Sequence, residues 1–304
     1  MPYGYQPRLK GLYIATELII AVLAIIGNFL VCLAVICNKK LHTVTNYFLV
    51  SLAVADILVG LVAIPCAVLT DLGRPHHDLP LCLVLLSILM VLTQSSILSL
   101  LAVAAERYIA ILLPFQYQRV MSPRNAQRAL LVTWGLGAIS GSVPLMDWKR
   151  QPAGSDKKES YCIFTCVVDM SYMVYFNFFC CLLVPLVAMF IIYGHIFLTV
   201  RRQLRQSNEA KSNVRTRQEI RKATSLFLVL FLFMVCWMPI HLINCVLLLR
   251  PQCEVPMSLT LAAILLSHAN SALNPILYAY RMRSFRHTLI GMWRRVRRLR
   301  PTRH

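Results

Sequence analysis

Ser267-His268-Ala269-Asn270-Ser271-Ala272-Leu273-Asn274-Pro275-Ile276-Leu277-Tyr278 decides the fold of this chain. These residues lie within an apolar stretch at about 257–280, long enough for a helix to cross a bilayer. Polar groups at membrane depth are costly and mark functional sites. Pro275 has no N–H, and in hydrocarbon the carbonyl it leaves unpaired must find another donor. A helix carrying Ser, His, two Asn and a proline at that depth must face other helices rather than lipid.

Six further apolar stretches lie upstream, at about 13–37, 46–70, 81–109, 129–147, 171–196 and 222–248. Each reaches the roughly 20 residues a transmembrane helix needs. The 304 residues are 58% hydrophobic and 14% charged, against roughly a quarter charged for a soluble domain. The residue-by-residue alternation of a membrane barrel is absent. The sequence therefore predicts an all-α membrane protein. A seven-transmembrane helix bundle occupies 1–280, and a short amphipathic helix with a basic tail occupies 281–304.

Of 31 Lys and Arg residues, 8 fall on the side of the N-terminus and 23 on the other. Positive residues stay cytoplasmic, so the N-terminus is expected outside and the C-terminus inside, in the plasma membrane. The net charge of +19 then belongs mainly to the inner face. It suits anionic lipid and a cytosolic partner better than nucleic acid. No cleavable signal precedes the first stretch and no Asn-x-Ser/Thr sequon occurs. Of 11 Cys, Cys82, Cys162, Cys166 and Cys253 lie at the outer, oxidising face. A Cys82–Cys162 bridge would hold the long second outer loop over the bundle mouth, while the pairing of Cys166 and Cys253 stays open.

Each stretch carries one distinctive mark. These are Gly27-Asn28, Leu52-Ala53-Val54-Ala55-Asp56, Glu106-Arg107-Tyr108, Trp134, Pro185, Cys236-Trp237-Met238-Pro239 and Asn274-Pro275-Ile276-Leu277-Tyr278. In this order and spacing, across 13–293, they resemble the rhodopsin-like (class A) G-protein-coupled receptors. Thr93-Gln94-Ser95-Ser96-Ile97-Leu98-Ser99-Leu100-Leu101, the run Cys236 to Asn244, Ser267-His268-Ala269-Asn270-Ser271 and Phe164 are similar to the adenosine receptors. Asp169 to Phe176, Ala223 to Phe233 and Glu254-Val255-Pro256 lean toward the third adenosine subtype, whereas Gln94 and His241 look more like the first and second. The chain departs from the family at Glu106, where adenosine receptors carry Asp, and at Thr165, where some subtypes carry an acid.

Trp237, His241 and Asn244, at i, i+4 and i+7, share one helix face. Thr93 and Gln94 sit one turn below Leu89 and Met90, and Ile264, Ser267 and His268 share a face of the seventh stretch. Together they describe an outward cavity, apolar with a few polar points, as small-ligand sites are. An amide both donates and accepts, so an Asn can read the edge of adenine with two bonds. The resemblance implies that Asn244 does so and that Phe164 stacks on the ring. It places Ser267, His268 and Thr93 at the ribose, with Leu89, Met90, Met173, Ile240 and Ile264 as walls beside Trp237, Gln94 and His241. Glu17 would orient His268 if the first and seventh stretches touch. The competing reading of a lone membrane Asn is interhelical glue.

Asp56, Ser96, Asn270 and Asn274 resemble the sodium-binding cluster of the superfamily, against the alternative of a hydrated network without an ion. No other cofactor is expected. On the inner side the resemblance implies an Arg107–Glu219 contact that closes the cytoplasmic face. Glu106 would serve as the family's Asp, Tyr108 completes the motif, and Tyr193 and Tyr278 would swing inward on opening. The alternative there is a solvated charge pair. Phe285, Leu289, Met292, Trp293, Val296 and Leu299 recur at helical spacing among arginines, as in a helix lying on an anionic leaflet.

The resulting expectation is a receptor for extracellular adenosine that activates a heterotrimeric G protein, of the Gi/o type by subtype resemblance, lowering cAMP. From Arg281 on, the only hydroxyl residues are Ser284, Thr288 and Thr302, which predicts weak arrestin recruitment. A transporter would need a path of charges or an internal repeat, and neither occurs. A retinal protein would need a Lys within 257–280, and an amine receptor an acid near Leu89. A receptor relative that does not bind adenosine stays open, and no enzyme constellation is present.

Overall fold

The computed structural model of the protein describes residues 7–72, 78–146, 167–206, 210–250 and 252–298, with the side chains of 7, 79, 118, 203–222, 226, 281, 283 and 295–298 outside that description. The membrane helices are α1 (Pro7–Cys37), α2 (Val44–Asp71), α3 (Leu79–Leu112), α4 (Pro123–Gly141), α5 (172–206), α6 (Ala210–Leu249) and α7 (Met257–Arg281). The amphipathic helix is α8 (Arg283–Arg298). No strand occurs among the described residues.

Several helix starts can be read from capping chemistry. Thr43, Asp78 and Ser122 stand outside the helix, and each side-chain oxygen accepts a backbone N–H three residues on. This satisfies one of the donors that a helix N-terminus leaves unpaired. Pro80 and Pro123 follow their caps, where a missing N–H costs nothing. Thus α4 begins at Pro123 and ends at Gly141, not at 129 and 147. Likewise α6 begins at Ala210, not near 222, because hydropathy detects the apolar part of a helix and misses a polar extension such as 210–221. By length and composition, α1, α2, α3, α5 and α6 are apolar enough to cross a membrane. α4 and α7 are more polar. Arg124, Asn125, Gln127 and Arg128 open α4, and the polar residues of α7 turn into the bundle.

Neighbour packing closes a bundle. α1 lies against α2 and α7, α3 against α2, α4, α5 and α6, and α7 against α6. Its faces reverse those of a soluble protein. Leu18, Ile19, Val22, Leu23, Ile26 and Phe29 of α1 are more than half exposed, while Glu17 and Asn28 are fully buried.

The distinctive residues act as joints between helices. Pro275 leaves the Ser271 carbonyl without its helical donor, and Asn28 Nδ2 donates to that carbonyl at 2.8 Å. Gly27 allows the approach, since a Cβ there would stand 3.0 Å from Pro275 Cγ. Trp134 Nε1 donates to Ser51 Oγ at 2.9 Å, which lies 3.4 Å from Ser99 Oγ, so α4, α2 and α3 meet on polar bonds. α2 contains a π turn, Val59–Ala63, and α5 is π-wound over Tyr172–Leu183.

α8 packs Phe285 beneath Tyr278, ring centroids 6.2 Å apart. Asn38 Nδ2 donates to Thr288 Oγ1 at 2.7 Å and ties the helix to the first inner loop. Leu289 and Met292 join the core, whereas Trp293 is 55% exposed. Leu299 and the side chain of Val296 lie outside the described residues.

Candidate functional site

α6, α7, α1 and α3 bring most of the expected pocket residues together. Trp237, His241 and Asn244 share the inner face of α6, where His241 is 3% and Asn244 4% exposed. His241 stacks on Phe178 of α5, centroids 5.2 Å apart at 17°, and stands 6.3 Å from Trp237, which in turn stacks on Phe233. This aromatic column fixes the face from which Asn244 projects. Among the described residues the Asn244 amide has no hydrogen-bond partner. Trp237 Nε1 and His241 Nδ1 are buried without partners as well. Groups of this kind are costly unless something else satisfies them.

On the opposite wall, α1 and α7 do touch. His268 Nδ1 lies 2.8 and 2.9 Å from the two Glu17 oxygens, with both residues buried. A hydrogen donated from Nδ1 to Glu17 holds the ring in one orientation and leaves Nε2 outside that bond. The two hydroxyls expected at the ribose are each bonded within their own helix. Thr93 Oγ1 donates to the Leu89 carbonyl at 2.9 Å and Ser267 Oγ to the Ile264 carbonyl at 2.7 Å. Each therefore uses its proton on its own helix and offers a ligand only its lone pairs.

Gln94 has a partner that sequence reading missed. Its Nε2 donates to Asn177 Oδ1 of α5, and Asn177 Nδ2 contacts Met90 Sδ at 3.3 Å and Met173 Sδ at 3.6 Å. The signal was available, since Asn177 is a lone amide in an otherwise apolar run. Met90 and Met173 are buried, and Leu89, Ile240 and Ile264 are partly buried. Leu89 packs against a cluster drawn from α1, α2, α3 and α7. Phe164, Thr165, Cys162 and Cys166 fall outside the described residues. Cys82 is disulfide-bonded and Cys253 is free.

Midway down the bundle, Asp56 accepts from Ser271 Oγ at 2.8 Å and from Asn274 Nδ2 at 2.9 Å. Ser271 is a donor that the sequence reading passed over. Its position one turn beyond Ser267 and one before Asn274 puts it on the inner face. Ser96 donates to the Leu92 carbonyl at 3.0 Å instead of to Asp56. Among the described residues the oxygens Asn270 Oδ1 and Asn274 Oδ1 are buried and unpaired. One carboxylate with several neutral oxygens suits a hard monovalent cation, not a transition metal.

At the inner face, Arg107 pairs with its neighbour. Nε lies 2.6 Å from Glu106 Oε2 and Nη2 lies 2.6 Å from Oε1. Thr45 Oγ1 donates to Glu106 at 2.9 Å and accepts from Arg107 at 2.5 Å, and Tyr117 OH donates to Glu106 at 2.7 Å. Glu106 is fully buried and Arg107 is 7% exposed, so this is not a solvated surface pair. Burial first, and Glu106 as acceptor second, push the Tyr117 phenol up to about 12, which keeps it a donor. Thr45 and Tyr117 were missed because neither lies on a helix face shared with Glu106 in sequence. The Glu219 side chain lies outside the described residues. Tyr108 stands 5.6 Å from His195, and Tyr193 and Tyr278 are both 2% exposed.

A family model described as 7 transmembrane receptor (rhodopsin family) matches residues 27–278. The adenosine receptor A2b of Homo sapiens is 46% identical over 295 residues, which cover 91% of this chain and 88% of the relative. The adenosine receptor A2b of Gallus gallus is 45% identical over 299 residues, covering 92% and 87%. The adenosine receptor A2a of Homo sapiens is 44% identical over 298 residues, covering 92% and 71%. With its bundle, its interhelical joints and this similarity over nine-tenths of its length, the chain belongs to the rhodopsin family of seven-transmembrane receptors, in the adenosine receptor branch.

Proposed function

We propose that this protein is a plasma-membrane receptor, N-terminus outside, that binds extracellular adenosine between α1, α3, α6 and α7 and opens its cytoplasmic face to a heterotrimeric G protein. The observation that carries this reading is the unpartnered Asn244 amide in the same bundle as the Glu17–His268 pair. The amide suits the two-sided edge of adenine, and the imidazole suits the sugar hydroxyls. Adenosine can shift the bundle only by binding the open state more tightly than the closed one. Arg107 is held by Glu106 and Thr45, so opening the cytoplasmic face around it must replace those bonds. Cells expressing the receptor, treated with adenosine deaminase and then with a deaminase-resistant analogue, should change their cAMP. No response in either direction overturns the reading.

The G-protein class is proposed as inhibitory, on the likeness of the α5 and α6 segments to the third subtype. The A2a and A2b names of the relatives above do not themselves favour that choice. A fall in forskolin-raised cAMP is the expected result, and a rise assigns the opposite class.

The Asp56 cluster is proposed as a sodium site. Asp56 and the unpaired oxygens of Asn270 and Asn274 would hold the ion, with Ser96 lending a lone pair. The ion would favour the closed bundle, so agonist and sodium weaken each other reciprocally. Raising sodium from about 10 to 150 mM is expected to lower agonist affinity several-fold, the usual range of such couplings. Asp56→Asn should abolish the effect. An unmodified receptor insensitive to sodium removes the assignment.

A further inference from the structure

Above the Glu17–His268 pair lies an acid at the end of the second membrane helix. Asp71 closes α2, and its Oδ2 accepts the Tyr13 hydroxyl at 2.6 Å, a short bond to a charged acceptor. Tyr13 is 3% exposed and lies one turn before Glu17 on the same face of α1. Asp71 stands within electrostatic reach of Glu17, His268 and Lys10.

Local rules argue against this placement. A carboxylate at a helix C-terminus faces the negative end of the helix dipole. A second carboxylate beside buried Glu17 adds repulsion. A residue that breaks two local rules needs a tertiary reason, and the backbone supplies one. The π turn Val59–Ala63 adds a residue to one turn of α2, which rotates everything beyond it by about 100°. Gly60, inside that turn, lets α2 close on α1, since a Cβ there would lie 2.9 Å from both the Ala21 carbonyl and Ile25 Cγ1. The turn thus aims Asp71 at α1, and Tyr13 receives it.

We propose that Tyr13 and Asp71 are positioning residues for sugar recognition: they lock the rotation of α1 that presents Glu17 to His268, and so set the imidazole that meets the ribose hydroxyls. This rests on the nucleoside reading of the pocket. Tyr13–Asp71 joins α1 to α2, and Glu17–His268 joins α1 to α7. Adjacent turns of a single helix carry both bonds, so loosening the first lets Glu17 turn away from the imidazole. The adenine end, on α6, takes no part.

The test is a cycle between receptor and ligand, in membranes of cells expressing the full chain, with a tritiated sugar-free antagonist as tracer. Adenosine competes against 2′,3′-dideoxyadenosine on the unmodified receptor, Tyr13→Phe, Asp71→Asn and Asn244→Ala. Asp71→Asn keeps the volume and an acceptor oxygen, so it preserves the fold while removing the charge. Tyr13→Phe and Asp71→Asn should weaken adenosine roughly ten-fold, the loss of about one hydrogen bond to a charged group. Both should leave the dideoxy analogue and the tracer within about two-fold, because those ligands do not use the sugar contact. A structural role would weaken all three ligands alike, and that outcome, or no loss at all, overturns the proposal. Asn244→Ala should weaken both nucleosides equally. If it weakens neither, the nucleoside reading of the pocket fails, and the positioning role fails with it. If it weakens both while Tyr13→Phe does not discriminate, only the positioning role fails.

Discussion

Asn244→Ala should abolish measurable adenosine binding, with a loss of at least a hundred-fold at unchanged surface density. Asn244 is 4% exposed and projects from a face that His241, Phe178 and Trp237 hold in place. Removing its amide leaves the ring edge of a bound adenine with an unpaired donor and acceptor in a dry pocket. Each unpaired group costs about 1–3 kcal/mol, and about 2.7 kcal/mol is already a hundred-fold in affinity. The backbone of α6 should be undisturbed, since Ala is the best helix former. Competition binding gives the affinity and an extracellular epitope gives the surface count. An unchanged affinity would remove Asn244 from the ligand site.

Gly141→Leu should nearly eliminate folded receptor. A Cβ at Gly141 would overlap the Val91 backbone, and one at Gly137 would overlap Ser95, so α4 lies on α3 too closely for any side chain at these positions. A backbone atom cannot turn aside as a side chain can, so the helices would have to separate. Overpacking typically costs 1–3 kcal/mol and more where nothing can yield. Parting α4 from α3 would also strain the Trp134–Ser51 bond. Gly135→Ala on the same helix is the control. Nothing lies within 4 Å of a Cβ there, and replacing a helical Gly by Ala is worth up to about 1 kcal/mol in favour of the helix. Detergent melting curves read by size-exclusion fluorescence should show Gly135→Ala at or above the unmodified receptor and Gly141→Leu far below it. Equal melting of all three would mean that α3 and α4 are not this close in the membrane.

Sequence alone was enough for the architecture, because a bilayer leaves few options. Long apolar stretches must become helices that satisfy their own backbone bonds. Polar marks such as Asn28, Asp56, Trp134 and Asn274 have to turn inward. Periodicity likewise placed Trp237, His241 and Asn244 on one face, since a helix rotates each residue by a fixed angle.

Contacts between distant helices were legible only in part. The Glu17–His268 pair could be anticipated as a buried acid seeking a partner, although the touching of α1 and α7 could not be derived from either helix. Asn177 against Gln94, Ser271 on Asp56, and Thr45 and Tyr117 on Glu106 came only with the structure. Each depends on the relative rotation and height of two helices, which side chains far apart in the chain decide together. The Tyr13–Asp71 bond lay further still from sequence. The π turn at Val59–Ala63 shifts the helical phase, so the face that Asp71 occupies cannot be counted from the residues before it. Thus the sequence by itself determined that these polar residues lie inside a helical bundle, through the cost of leaving them in lipid. Which of them meet was decided only by the tertiary structure, because packing, turns of irregular pitch and close-approach glycines set the angles between helices.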